Sequence, residues 1–177
     1  RDRSGAAGRG ELALAAALSA FQQTLSLEDF RAAQACAGAD WPVVRKDLLD
    51  HLLDAPHARD KAEILLDEGL VDEAVRAVGE EGGNATPDAV LLRLMEAAHA
   101  SHPDWVIGFA ERRAAAIMDR GAAGLYEEAA RWLGMAALAF DAAGRVDEWT
   151  VRIEALIDRH RRKYKLRPLL EALRYGR

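Results

Sequence analysis

Leu65–Val78 reads LLDEGLVDEAVRAV, and its grammar recurs at Ile117–Leu133 (IMDRGAAGLYEEAARWL) and at Ala139–Ile153 (AFDAAGRVDEWTVRI). Each stretch is an apolar helix end, one or two charged residues, a glycine, and an acidic turn that opens another helix. Glycine takes the left-handed conformation that stops a helix, and carboxylates favour the positive end where the next one begins. Helix, glycine turn, antiparallel helix is the unit of a tetratricopeptide-like solenoid. The three copies are irregularly spaced. The expectation is therefore an all-α chain, an irregular stack of antiparallel helical hairpins (a tetratricopeptide-like α-solenoid) of about nine or ten helices.

Composition agrees. Half of the 177 residues are hydrophobic but only 6% are aromatic, so the core must rely on Ala, Leu, Val and Ile. Alanine, the best helix former because fixing it costs no side-chain entropy, makes up about a fifth of the chain. β-branched residues are scattered, without the apolar/polar alternation of a strand.

Outward from the three junctions, residues 1–10 read as a flexible tail or linker end and residues 11–177 as a single α-helical repeat domain. A chain beginning at Arg1 reads as a piece of something longer. A first helix is expected over Glu11–Gln23, its face made by Leu14, Leu18, Phe21 and Leu25, a spacing that favours an amphipathic helix over a targeting segment. Ser26 is placed to cap a second helix that Gly38 ends; Asp40 caps a third through Trp41, Val44, Leu48 and Leu52, and Pro56 breaks the chain. Two short helices hinge at Gly69 and close at Gly82-Gly83. Thr86-Pro87 and His102-Pro103 are helix starts. Leu125–Ala142 is apolar over much of its girth, which predicts burial on several sides. Trp149, Ile153, Leu156, Ile157, His160 and Tyr164 predict one continuous helical stripe, with a last short helix after Pro168.

The residues offer little chemistry. Cys36 is the only cysteine; it excludes an intramolecular disulfide or a CxxC pair, suits a reducing cytoplasm, and among its small neighbours is expected to be packed and inert. His99 and His102 are close in sequence, but Pro103 starts a new helix between them and any third ligand, so His102 is read as a helix start. His51 and His57 read as surface residues. Asp72-Glu73, Glu80-Glu81 and Glu127-Glu128 are adjacent pairs whose side chains diverge on a helix, so they read as helix-start charges rather than an acid/base pair. No serine lies in GxSxG or SxxK, and no glycine loop is spaced to hold phosphate. Asn84 heads a formal glycosylation sequon, better explained by Thr86 as a cap. Trp41, Trp105, Trp132 and Trp149 read as packing between hairpins. No run approaches the ~18 apolar residues of a membrane span, so no membrane partner is expected.

Charge is uneven. From Arg159 onward eight Lys/Arg stand against Glu171 alone, +7, while the remainder holds 16 basic and 28 acidic residues, −12. The candidate nucleic-acid contacts are Arg159, Arg161, Arg162, Lys163, Lys165 and Arg167, with Tyr164 interleaved. The plainer account is the solvated side of a terminal helix, with Asp158 pairing Arg162 at i+4 and Arg159 and Lys163 covering apolar surface with their stems.

The second half also carries a family likeness. His102-Pro103, the YEEAA of Tyr126–Ala130, Gly144-Arg145 with Glu148-Trp149, and His160 and Lys163 before a leucine-rich end together resemble the helical region C-terminal to the zinc finger of SWIM zinc-finger proteins. Lys61–Val78 fits the hairpin that precedes it, and the resemblance spans roughly residues 40–175. The family's CxC…CxH finger, proposed to contact DNA or proteins, is absent from a chain with one cysteine, so no zinc ligand carries over and zinc is expected only upstream. What the resemblance implies is an accessory helical module, and the reading is a non-catalytic interaction or scaffold module with a protein partner. The alternative is weak, non-specific contact with nucleic acid through the basic C-terminal helix.

Overall fold

A computed structural model describes residues 3–80 and 86–175. Among them the chain is all-α, with ten α-helices, two short 3-10 turns and no strand. The helices are α1 (Arg3–Thr24), α2 (Leu27–Ala37), α3 (Trp41–Asp54), α4 (Lys61–Asp67), α5 (Val71–Val78), α6 (Asp88–Ala98), α7 (Pro103–Asp119), α8 (Tyr126–Ala142), α9 (Val146–Arg159) and α10 (Arg167–Ala172). The described residues fall into two compact units, one running to Val78 with Thr86 belonging to it, the other from Pro87 onward with Gly79 and Glu80 belonging to it. The sequence between them, GEEGGNAT, offers no side chain larger than alanine to an apolar core. The Gly82-Gly83 stop, Glu81 and the Asn84 sequon lie outside the described residues.

The three junctions close alike. After α4, the Leu70 N–H bonds the Leu65 carbonyl (2.8 Å) and Gly69 bonds Leu66 (3.0 Å). After α7, Ala122 bonds Ile117 (3.3 Å) and Gly121 bonds Met118 (3.1 Å); after α8, Arg145 bonds Phe140 (2.8 Å) and Gly144 bonds Asp141 (3.0 Å). This six-to-one and five-to-two pair of bonds satisfies carbonyls that a helix end leaves orphaned, and it needs a residue at positive φ. Gly69, Gly121 and Gly144 supply it, at φ 78°, 68° and 68°. An apolar contact usually seals such a turn. At Arg145 the guanidinium does so instead, lying 5.1 Å over the Phe140 ring it has just bonded past.

In the first unit Phe30 of α2 is the hub. It meets Phe21 of α1 edge-on at 5.6 Å and Trp41 of α3 at 5.4 Å, and both phenylalanines are fully buried. Ser26 caps α2 as expected, accepting from the Asp29 N–H at 3.1 Å, and Asp60 accepts from the Leu27 N–H at 2.9 Å. Arg31 of α2 and Arg45 of α3 converge on Glu68 at the end of α4, at 3.3 and 2.5 Å, and Arg31 also reaches Asp67 at 2.9 Å. The Lys61 ammonium donates to the Leu53 and Ala55 carbonyls where α3 stops (2.9 and 2.8 Å). Burial holds its pKa below the usual lysine value, with Asp54 opposing.

The second unit is built on the α7–α8 hairpin. Ala110 and Ala114 face a helix that buries Ala129, Ala136 and Ala139, all fully excluded from solvent, so the two backbones pack closely. α8 is covered on several sides, touching α6, α7, α9 and α10, as its apolar girth predicts. Trp132, 1% exposed, is its largest buried side chain. Arg113 spans from the Trp132 and Phe109 rings (5.6 and 5.5 Å) to Asp88 of α6 (3.4 Å).

Several local expectations change. α1 begins at Arg3, so residues 3–10 are helical where a flexible tail was expected, the alanine-rich helix that follows extending back through glycines at 5, 8 and 10. Asp40 makes no side-chain cap, because a 3-10 turn over Gly38–Asp40 feeds backbone bonds straight into α3. Pro87 takes the cap position of α6, one residue later than expected, and neither it nor His102 caps through a side chain. Cys36, expected to be packed, is exposed on α2.

An ideal Cβ built at Gly144 meets nothing within 4 Å, so the cost of filling it is conformational alone. Gly144→Ala should lose about 1–2 kcal/mol in urea denaturation, and Gly144→Asn, which tolerates positive φ, should recover part of that loss.

Candidate functional site

The basic segment sits where α9 ends. Trp149, Ile153 and Ile157 are the buried stripe of α9, and the Trp149 indole N–H donates to the Leu173 carbonyl (3.0 Å) just after α10. The stripe was expected to run on to Tyr164, but the helix stops at Arg159. At roughly 100° per residue, a continued helix would turn Leu166 about 120° away from the stripe. Breaking the helix buries Leu166 and Leu170 completely. The intervening turn is held by the Lys163 N–H on the His160 carbonyl (2.8 Å) and the Leu166 N–H on the Lys163 carbonyl (2.9 Å).

The structure divides the six candidate cations. Arg159 pairs with Asp119 of α7 at 3.1 Å, Arg161 with Asp158 at 3.4 Å, and Arg167 with Glu171 at 2.7 Å. The Asp158 partner is thus Arg161, not the expected Arg162, because the helix ends before an i+4 partner can form. Lys163 is half-buried, its ammonium donating to the Met118 carbonyl in the last turn of α7. Arg162 and Lys165 are exposed and have no ion pair among the described residues. Between them Tyr164 is 78% exposed. Tyr164 therefore leaves the apolar stripe and joins the charged surface.

A cleft of about 490 Å³ lies between α8, the first half of α9 and the segment after α10. Trp149, Ala137, Val146 and Tyr175 give it an apolar floor and wall; Asp141, Glu154 and Arg174 edge it. Glu154 holds Arg174 through two bonds, 2.6 and 3.0 Å, and that hydrogen bonding keeps the Glu154 carboxyl below the usual carboxylate range. At the near end of α9, Arg145 bonds Glu148 (3.0 and 2.9 Å) and Asp104 of α7 (2.5 Å), which pulls the Glu148 carboxyl down as well. Val146 and Tyr175 remain 49% and 82% exposed at the cleft's rim.

The other side chains singled out in the sequence are engaged locally. The His99 Nδ1 meets the Glu96 carbonyl (2.5 Å) and the His102 Nδ1 meets the Ser101 hydroxyl (2.9 Å), so the two histidines do not converge. Asp72-Glu73 and Glu127-Glu128 lie in first helical turns. Among the described residues no three His, Cys, Asp or Glu side chains are grouped to hold a metal, and no helix is long and apolar enough to cross a membrane. Trp132 and Trp149 are core residues; Trp41 and Trp105 are half-buried. Sequence reading missed the cleft, because Tyr175 and Arg174 reach it only through the fold. It missed the Lys163–Met118 bond because a carbonyl acceptor leaves no mark on the sequence.

No family model matches the chain, and no curated protein or solved structure matches it.

Lys163→Met removes the charged donor but keeps the stem, leaving the Met118 carbonyl only its backbone partners in the glycine turn. It should cost roughly 1–3 kcal/mol in chemical denaturation, with Lys163→Arg recovering part of it.

Proposed function

We propose that this chain is a non-catalytic helical-repeat interaction module that scaffolds a protein partner, the accessory region of a SWIM zinc-finger-like protein. The observation that carries the reading is the cleft over α8 and α9, where Val146 and Tyr175 stand exposed above the buried face of Trp149. Large aromatic side chains beside an apolar floor are what a partner's anchor residue uses, because burying them on binding removes much apolar surface from water. The matching closures at Gly69, Gly121 and Gly144 support the repeat part of the reading, since each makes the same helix-to-helix turn. The charged side chains favour a structural role: Arg31, Arg45, Lys61, Arg145 and Lys163 each join one helix to another element. The lone cysteine fits a reducing cytoplasm. Photocrosslinking in cells tests the partner. A benzoylphenylalanine at Tyr175 should give a discrete adduct that Val146→Arg abolishes, with none from a control position at Glu127. No discrete adduct, or equal labelling from both positions, overturns the reading.

A second reading rests on Tyr164. Exposed between the unpaired Arg162 and Lys165, it offers a stacking face flanked by cations, the pattern that holds single-stranded nucleic acid. Fluorescence anisotropy with a single-stranded oligonucleotide at low salt checks it. Tyr164→Ala should weaken binding by about 1–3 kcal/mol. Replacing Arg162 and Lys165 by Gln should lower the salt slope by about 1.4. Binding that these changes leave untouched removes this reading.

A further inference from the structure

Among the described residues, His160 is the one buried polar or charged side chain, 4% exposed. Its Nε2 is sealed from solvent without a hydrogen-bond partner. It occupies the end of α9, where its own N–H still bonds the Leu156 carbonyl (3.0 Å) and its carbonyl already serves the turn through Lys163 (2.8 Å). A phenylalanine or leucine would suit that enclosure at no polar cost, whereas a buried unpaired nitrogen costs free energy.

Three charged groups face the ring. Arg159 comes from its own helix and Lys163 from the turn that follows. Asp119 comes from α7, its Oδ1 standing 4.0 Å from Nε2 and already engaged by Arg159 at 3.1 Å. Two cations thus oppose a proton on His160, and the one carboxylate that would welcome it is shared.

We propose that His160 is an acid-operated latch: the neutral ring lets the turn 160–166 and α10 seat against α7, α8 and α9, and protonation releases them. Burial, then Lys163 and Arg159, hold the docked ring below the ordinary histidine value of 6.5, with Asp119 only partly offsetting them. Above that value the ring is neutral whether the segment is docked or released, so pH changes nothing. As pH falls below it, the released segment takes up a proton that the docked one refuses, and docking weakens until the docked ring itself titrates. The bonds at stake are those that seat the segment: Lys163 on the Met118 carbonyl, Arg159 on Asp119, and the Trp149 indole on the Leu173 carbonyl. Release would free the Trp149 indole and dismantle one wall of the cleft.

Hydrogen exchange read by mass spectrometry on the full chain at pH 7.5 and 5.5, corrected for intrinsic rates, tests the latch. Peptides spanning 160–173 should lose protection by up to about tenfold at the lower pH while peptides within 110–140 keep theirs. In His160→Leu and His160→Asn the two pH values should give equal protection in 160–173. Unchanged protection in the wild type, loss spread evenly over the chain, or the same acid loss in the variants overturns it. If neither variant folds, the wild-type ring signal followed by NMR decides. Titration below 6.5 supports the latch, and titration at or above 6.5 sinks it.

Discussion

A helix rich in alanine is easy to propagate and hard to stop, and the carbonyls at its end must find donors wherever the end is covered. That requirement organises both units. Glycine turns satisfy it at Gly69, Gly121 and Gly144 with the chain's own N–H groups. A cation from another segment adds to this work: Lys61 on Leu53 and Ala55 where α3 stops and, at two of the glycine turns themselves, Arg45 on Glu68 and Lys163 on Met118. A positive side chain suits this position twice over, as a donor and as the counter-charge to the negative end of the helix dipole. Lys61, Arg45 and Lys163 are thereby drawn to helix ends.

This reframes the C-terminal charge. Six cations in nine residues, Arg159 to Arg167, look in sequence like a surface built for an anion. In three dimensions four of them already have acceptors, three of these in surface ion pairs and Lys163 on a carbonyl of α7, and the cations without one among the described residues reduce to Arg162 and Lys165 on either side of Tyr164. Charge density along a chain says little about charge available at a surface when helix ends compete for the same groups. The cleft edged by Glu154 and Arg174 makes the complementary point, since its apolar floor was invisible as a run of residues.

What the sequence disclosed follows from how local each signal is. Ser26 capping Asp29, the three glycine closures and the burial of α8 all depend on residues within a few positions of each other, and all are present as read. The readings that changed depend on distant groups. The end of α9 at Arg159 reflects the pull of burying Leu166 and Leu170, which no periodicity within α9 encodes. The exposure of Cys36 depends on which face of α2 meets α1 and α3; Phe30, Ala33 and Ala37 take that face and turn the thiol outward. The segment GEEGGNAT, around which the chain divides into two compact units, was read as a helix stop followed by a helix start.

The placement of four indoles and one thiol has a practical consequence. Trp105, Trp132 and Trp149 all belong to the second unit, and the last two are almost wholly buried. Intrinsic fluorescence during unfolding is therefore weighted towards that unit, with Trp41 the sole indole of the first. Cys36, exposed and unique, can carry a dye on α2 that answers for the first unit. Two optical channels are thus built into the chain, one for each unit, and they can be followed in a single denaturation.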